Sequence, residues 1–216
     1  MIDKWLSKPK INEFFEKISR KWFLGKLSAN SITLLAFLTG ILGAIFIFLS
    51  GFLIWEIELL ICAVSLMSIS FFLDVLDGAL ARAAGTTIFG GILDILSDRM
   101  VEVSIIISII SADRYKLLWP GIFSLASIIM CITMFLLVGG AVKAENLEET
   151  KKVIFYRSGL MERGETFIIL ILVTILIPWR AIILWIFAIL VLLTAFLRLK
   201  DAYSLFKDEK SANESI

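Results

Sequence analysis

The sequence contains no histidine, only two cysteines and a formal net charge of only +1. Without histidine, proton transfer by an imidazole is excluded, and so are most designs of zinc site. Cys62 and Cys131 both fall in strongly apolar stretches, where a free cysteine behaves as a packed apolar side chain. We therefore expect neither a disulfide nor a cysteine-ligated metal. Any proton transfer must fall to a carboxylate, a lysine, a tyrosine or water.

What the chain has in abundance is apolar side chains, since 59% of its 216 residues are hydrophobic. A helix needs about 20 apolar residues to cross a bilayer. The sequence has six apolar runs. The fifth is short, and the fifth and sixth together can form a hairpin that turns at Pro178, Trp179 and Arg180. We predict an all-α integral membrane bundle of about six transmembrane helices. The runs are 31–54, 57–80, 90–111, 116–139, 166–179 and 181–198.

Lysines and arginines are unevenly distributed among the polar segments. Seven lie in the N-terminal flank, five in the 140–165 loop and four in the C-terminal flank. The turns on the opposite side hold only Arg114, Lys116 and Arg180. The positive-inside rule therefore places both termini and the 140–165 loop in the cytoplasm. It also places the 74–98 stretch at the cytoplasmic mouth of the second and third spans.

The N-terminal flank alternates apolar and charged residues at helical spacing between residues 9 and 27. This pattern is typical of an amphipathic helix that lies in the membrane interface. We accordingly divide the chain into a cytoplasmic juxtamembrane helix (1–30), a transmembrane catalytic domain (31–199) and a cytoplasmic polar tail (200–216). The apolar residues that can share one face of the first segment are Ile11, Phe14, Phe15, Ile18 and Trp22.

Four aspartates lie inside the apolar part of the chain: Asp74, Asp77, Asp94 and Asp98. A carboxylate in a membrane helix costs about 2.5–3.5 kcal/mol on insertion scales, so four of them need compensation by cations. Residues three or four positions apart share a helix face, which places the first two on one helix and the last two on another. Two helices that meet through these faces would form a cage of oxygen ligands suited to magnesium, manganese or calcium.

Glycines break the helical pattern between the two aspartate pairs. The segments 85–87 and 90–91 contain three of them and predict a bend. Glycine also allows a ligand to approach the backbone closely, and irregular backbone at membrane depth is tolerated where it lines a cavity. One turn after Asp98, Glu102 continues the same face. We expect it to pair with Arg99 or a loop cation, or to relay protons.

With its spacing, the stretch from Asp74 to Asp98 is D-x2-D-G-x2-A-R-x7-G-x3-D-x3-D. It closely resembles the signature of the CDP-alcohol phosphotransferase family. The commonest form of that signature has eight residues where this chain has seven, between Arg82 and Gly90. The six-span topology and the amphipathic N terminus match the family as well. The resemblance implies transfer of a phospho-alcohol group from a CDP-alcohol to a hydroxyl acceptor, with release of CMP.

The resemblance also implies roles for individual residues. Two Mg²⁺ or Mn²⁺ ions would be bound, the first by Asp74, Asp77 and Asp94. The second would be bound by Asp74, Asp94 and Asp98. Asp98 would be the general base that takes the proton of the acceptor. The implied nucleotide contacts are Gly78, Ala81, Arg82, Thr87, Asn30, Ser31 and Ile32.

The 140–165 loop supplies candidates for acceptor binding. It resembles a stretch of the phosphatidylinositol-phosphate synthases in which basic residues bind the phosphate of the acceptor. Two of those basic positions are Ala141 and Thr166 here. The alternatives therefore stay open: inositol phosphate bound in a different anion pocket, or a neutral or differently charged acceptor. The remaining candidate acceptor-binding residues are Lys143, Arg157 and Arg163.

The sequence thus predicts a membrane enzyme of phospholipid synthesis whose donor is CDP-diacylglycerol or CDP-dialkylglycerol. The active site would face the cytoplasm from the cell membrane, the family implies a homodimer, and no nucleic-acid partner is expected. A soluble polar donor or acceptor is an alternative within the family. An intramembrane cation transporter is an alternative of another class, but these aspartates cluster at one mouth and line no transmembrane route. An inactive scaffold is disfavoured because all four aspartates and Arg82 are intact.

Overall fold

The structure is a computed structural model that describes residues 27–144 and 161–213, together with Phe15, Lys17 and Ser19. In this part of the chain the regular structure is helical, and it contains no strand. A short 3₁₀ turn, Ile177–Trp179, joins the last two helices. The helices are α1 (Ala29–Ser50), α2 (Glu56–Ala84), α3 (Ile88–Ala112), α4 (Arg114–Ala144), α5 (Arg163–Ile175) and α6 (Arg180–Asn213).

The predicted all-α membrane bundle is confirmed, and each of the six apolar runs corresponds to one helix. Four helices, α1, α2, α4 and α6, are long and apolar enough to cross a bilayer. Of the other two, α3 has 25 residues but carries the charges of Asp94 and Asp98, and α5 has only 13 residues. The last helix runs past the predicted end at residue 198 and continues through polar residues to Asn213.

Helix α1 packs against both α2 and α3, and so fixes the two aspartate-bearing helices relative to each other. Small residues make this approach close. A Cβ atom on Gly40 would lie 2.8 Å from the side chain of Val101 on α3. On the α2 side, the Ser70 hydroxyl donates a hydrogen bond of 2.6 Å to the carbonyl oxygen of Ala36. Small residues and hydroxyl hydrogen bonds are the usual means of helix association in membranes.

The connection between α2 and α3 confirms the predicted bend. Helix α2 ends at Ala84, and Gly85 follows with φ +103°, a left-handed conformation that glycine adopts without strain. Thr87 then caps α3, because its hydroxyl accepts a hydrogen bond of 3.0 Å from the backbone N–H of Gly90. Ser28 caps α1 in the same way, accepting from the N–H of Ser31 at 3.2 Å. Two helices therefore begin close to the aspartate stretch.

At the far end of the bundle the predicted hairpin is also present. Arg180 is only 4% exposed and begins α6. Its Nε donates to the carbonyl oxygen of Val173 and its Nη2 to that of Thr174, each at 3.1 Å. These carbonyls belong to the last turn of α5, where helical partners are lacking. The buried guanidinium therefore ends α5 and explains the sharp turn.

Within the predicted interfacial helix (9–27), Phe15, Lys17 and Ser19 are helical, whereas Leu27 at its end forms a bend. The Ser19 hydroxyl donates to the carbonyl oxygen of Leu76 at 3.2 Å. The rings of Phe15 and Phe72 pack edge to face, with centroids 6.1 Å apart. This segment therefore contacts the aspartate-bearing half of α2. The rest of the predicted helix lies outside the described residues.

Candidate active site

Three of the four predicted aspartates meet at one point. Carboxylate oxygens of Asp74 on α2 and of Asp94 and Asp98 on α3 lie within 4.8 Å of one another. Asp74 is buried and the other two are half-buried. We call these three residues the carboxylate cage. Hard oxygen donors at this separation suit a divalent cation such as Mg²⁺ or Mn²⁺.

The fourth aspartate, Asp77, lies one helical turn after Asp74 and is 4% exposed. Its Oδ2 atom is buried and accepts no hydrogen bond from the described residues. A buried carboxylate oxygen without a donor is costly, and a bound cation would remove that cost. The residues present therefore fit a divalent cation, both in donor type and in the unsatisfied oxygen beside the cage.

A positively charged side chain of the protein contacts the carboxylate cage. Arg163, in the first turn of α5, contacts the carboxylates of Asp74 and Asp98 through Nη2. Its Nη1 lies 3.4 Å from Oδ1 of Asp94. The sequence predicts Arg163 as an acceptor-binding residue, whereas in this structure its guanidinium lies among the carboxylates.

A cavity of about 440 Å³ opens on the side of Asp77 and Asp94. We call it the signature cavity, because the aspartate stretch and the turn before α1 form its walls. Of the seven predicted nucleotide contacts, Ser31 and Ile32 do not line it. Ile32 is 1% exposed within the core, and the Ser31 hydroxyl lies 2.8 Å from that of Ser28. The five that do are Gly78, Ala81, Arg82, Thr87 and Asn30.

The N-termini of α1 and α3 meet in the wall of the signature cavity, and Gly90 allows this approach. A Cβ atom on Gly90 would lie 2.9 Å from Oγ1 of Thr87 and 3.0 Å from Oδ1 of Asn30. A Cβ on the adjacent Gly91 would meet nothing within 4 Å. Backbone N–H groups at helix N-termini attract anions. The cavity therefore suits a ligand that carries phosphate.

A second cavity, of about 180 Å³, opens on the side of Asp98. We call it the arginine cavity, because Arg99, Arg163 and Arg198 line it, together with Glu162, Thr166 and apolar side chains. Its walls come from α3, α4, α5 and α6 and from the residues just before α5. The sequence does not predict Arg99 or Arg198 as site residues. The signal for Arg198 is its position at the polar end of the last apolar run, which we took only as a determinant of topology.

The arginines of this cavity differ in their partners. Nη1 of Arg99 lies 2.6 Å from Oε2 of Glu102, which confirms the predicted pairing and neutralises that charge. Nη1 of Arg198 donates to the carbonyl oxygen of Cys131 at 3.4 Å. Its guanidinium also lies 5.3 Å from the centroid of the Phe135 ring. Neither partner is negatively charged, so Arg198 brings a positive charge to the cavity that an anion could neutralise.

The structure describes little of the other predicted acceptor-binding residues. Arg157 and the side chain of Lys143 lie outside the described residues, so their roles stay predictions. Thr166, one of the two positions at which the related synthases carry a basic residue, is buried and lines the arginine cavity.

Comparison with known proteins agrees with this geometry. A family model described as CDP-alcohol phosphatidyltransferase matches residues 26–197, which is most of the chain. The matched range contains the carboxylate cage, the signature cavity and every residue that lines the arginine cavity except Arg198.

Two known proteins are similar in sequence. Archaetidylinositol phosphate synthase of Pyrococcus horikoshii is 32% identical over 103 residues, or 47% of this chain and 50% of that protein. The match thus spans about half the length of that relative. The inner membrane protein YnjF of Escherichia coli is 27% identical over 210 residues, or 96% of this chain and 98% of that protein.

Similar folds occur among solved structures. Phosphatidylinositol phosphate synthase of Mycobacterium tuberculosis with CDP-DAG bound has a TM-score of 0.64 and 21% identity, covering 88% of this chain and 94% of that one. The complex of the same synthase with manganese and citrate has the same TM-score and identity, covering 88% of each chain. At this identity the likeness shows a common fold.

Proposed function

Because the chain belongs to the CDP-alcohol phosphatidyltransferase family, we propose that it transfers a phosphatidyl-type group from a CDP-lipid to a phosphorylated polyol and releases CMP. Family membership makes the chain an integral membrane phosphotransferase. The donor and the acceptor are our proposals. The observation that carries them is the position of the carboxylate cage between two cavities of different chemistry.

The signature cavity is the proposed donor site. Arg82 and two helix N-termini suit the diphosphate of a CDP-lipid, because charged donors and free backbone N–H groups both favour phosphate. Gly78 and Ala81 leave room for the nucleotide beside the backbone. The solved synthase of similar fold was crystallised with CDP-DAG, which supports CDP-diacylglycerol or CDP-dialkylglycerol as the donor.

The carboxylate cage and Asp77 are the proposed site of two divalent cations. When bound, Mg²⁺ or Mn²⁺ supplies charge neutralisation at the diphosphate and at the leaving CMP. The crystal structure of the synthase of similar fold in complex with manganese supports the use of a divalent metal. Asp74, Asp77, Asp94 and Asp98 are the residues that would hold such ions.

Asp98 is the proposed general base, because it belongs to the cage and also lines the arginine cavity. A base must lie within hydrogen-bond reach of the proton that it removes. The acceptor oxygen forms a bond to the lipid-bearing phosphorus as the bond from that phosphorus to the CMP oxygen breaks. The acceptor proton passes to Asp98.

The guanidinium of Arg198 in the arginine cavity supports an anionic acceptor over a neutral one. Arg198 has no negatively charged partner among its described contacts, and guanidinium groups bind phosphate with paired hydrogen bonds. Two relatives are named as synthases of inositol phosphate lipids. Inositol phosphate is therefore the acceptor that we propose, with other phosphorylated polyols as the nearest alternatives.

The orientation in the membrane and the assembly are also proposals. The charge distribution supports a cytoplasmic active site with both termini on the same side. Family resemblance supports a homodimer. We also propose three parts of the chain: an N-terminal segment (1–30), a catalytic domain (31–199) and a polar tail (200–216).

The test is release of CMP by the purified protein in detergent or vesicles with CDP-diacylglycerol or CDP-dialkylglycerol and Mg²⁺ or Mn²⁺. Acceptors are inositol phosphate, glycerol 3-phosphate, inositol and serine, and the lipid product is identified by its mass. We expect metal-dependent CMP release with inositol phosphate and none with inositol. Release with inositol or serine alone would contradict the proposed acceptor. No release with any acceptor, and no metal-dependent binding of CDP-lipid, would contradict the donor as well.

A further inference from the structure

Arg163 occupies the place in the carboxylate cage where a divalent cation would bind. Its guanidinium contacts all three carboxylates, and its side chain is 29% exposed while that of Asp74 is 9% exposed. It carries one positive charge against three acidic groups. The chain thus provides partial compensation for a cluster that would otherwise be costly in a membrane.

A cation and the Arg163 guanidinium cannot share this position. Arg163 contacts an oxygen of each of the same three carboxylates that lie within 4.8 Å of one another. Divalent cations bind oxygen at roughly 2.0–2.6 Å, so an ion between these carboxylates would overlap the Nη2 atom. Repulsion between the two positive charges acts in the same direction. Cation binding therefore requires the guanidinium to leave the cage.

The arginine cavity can receive the displaced side chain. Arg163 already lines it, and the cavity has a volume of about 180 Å³. The long side chain can change rotamer while the backbone of α5 stays in place. In the cavity it would join Arg198, and two guanidinium groups would then face the same space.

We propose that Arg163 is a displaceable counter-ion that leaves the carboxylate cage when a divalent cation binds and then completes the acceptor's anion site in the arginine cavity. The second half of this proposal rests on the proposed function, since it takes the acceptor to be a phosphorylated polyol. Cation and acceptor are then coupled. Each raises the affinity of the protein for the other by the same factor, because coupling between two binding sites is reciprocal. The enzyme binds its acceptor productively only after the cage is loaded.

The first test is Mn²⁺ binding by the purified protein without donor or acceptor, followed through the spectroscopic signal of free Mn²⁺. We expect Arg163→Gln to bind Mn²⁺ more tightly than the wild type by on the order of tenfold, because the ion no longer displaces a guanidinium. Arg198→Gln is the matched control. It removes the same charge from the same cavity without a described contact to the cage, and should leave Mn²⁺ affinity near that of the wild type. Equal or weaker binding by Arg163→Gln would overturn the proposal.

Loss of the counter-ion could also impair folding, so Arg163→Lys provides a second variant. It keeps the charge, but a single ammonium group cannot reproduce the forked contacts of the guanidinium. We expect its Mn²⁺ affinity to lie between those of the wild type and Arg163→Gln. Arg163→Gln should also melt at a lower temperature than the wild type without Mn²⁺ and gain more from added Mn²⁺. A smaller gain than in the wild type would count against the proposal.

The second test is calorimetric binding of inositol phosphate with and without Mn²⁺. We expect Mn²⁺ to tighten binding in the wild type and to have much less effect in Arg163→Gln. Binding that does not depend on Mn²⁺ would overturn the movement into the arginine cavity. If inositol phosphate does not bind at all while Arg163→Gln still binds Mn²⁺ more tightly, the proposed acceptor is wrong and the counter-ion role stands.

Discussion

The two cavities on either side of the carboxylate cage are built in different ways. The signature cavity is lined by two short segments, within 27–33 and 77–94, and its shape depends on backbone, on glycine and on the starts of α1 and α3. The arginine cavity is lined by long side chains from four helices. A cavity built from local backbone constrains the sequence tightly. A cavity built from distant side chains can change its ligand by single substitutions that leave the cage intact.

On the proposed assignment, this difference would allow one signature to serve several acceptors. The cage and the signature cavity hold the features that any CDP-alcohol requires: cation ligands, a phosphate site and room for a nucleotide. Among its lining residues, the arginine cavity adjoins the carboxylate cage through Asp98 and Arg163. Function is carried by the site rather than by the fold, and on the proposed assignment the acceptor half of the site is the part that single side-chain substitutions can change.

The largest effect on catalysis is expected at Asp98, in the carboxylate cage between the two cavities. Asp98→Asn removes the proposed base, and we expect kcat to fall by about 10²–10⁴-fold because general-base catalysis contributes on that order. The KM for the CDP-lipid should change little. The measurement is CMP release at saturating substrates, with Asp201→Asn on α6 as a control outside both cavities. Wild-type turnover by Asp98→Asn would remove Asp98 from the reaction.

An intermediate effect is expected in the wall of the signature cavity. In Gly90→Ala the added Cβ would crowd Oγ1 of Thr87 and Oδ1 of Asn30, so these side chains must shift at the starts of α3 and α1. We expect the KM for the CDP-lipid to rise by about tenfold or more, as small misplacements of binding groups are costly, while the acceptor KM stays the same. Gly91→Ala is the control, since its Cβ would meet nothing within 4 Å. If the two variants had equal donor KM values, the close approach at Gly90 would not matter for binding.

The smallest effect concerns the cap that shapes the same wall. Thr87→Ala removes the hydrogen bond to the N–H of Gly90, and loss of such a cap costs about 1 kcal/mol. We expect a lower melting temperature than for Thr39→Ala, whose hydroxyl contacts only carbonyls of its own helix. The readout is thermal unfolding in detergent. Identical melting temperatures would show that the start of α3 does not depend on this cap.

The features that can be predicted from the sequence also differ between the two cavities. The apolar runs predict the six helices α1 to α6, because helices of a membrane bundle are apolar along most of their length. The signature predicts the aspartates that form the carboxylate cage. The assignment of residues 30–32 to the nucleotide stays a prediction, in which Asn30 lines the signature cavity and the Ile32 side chain is buried in the core. The extension of α6 to Asn213 was missed because polar helix carries no hydropathy signal. Arg198 was missed because only the fold brings it to Asp98.

The most direct test of the account is a kinetic comparison of two matched variants, Arg82→Gln in the signature cavity and Arg198→Gln in the arginine cavity. Each removes one guanidinium from one side of the cage. CMP release is measured with CDP-lipid and inositol phosphate varied in turn. The account predicts that Arg82→Gln raises only the KM for the CDP-lipid and that Arg198→Gln raises only the KM for inositol phosphate. If both variants raised the same KM, the two cavities would not be separate donor and acceptor sites.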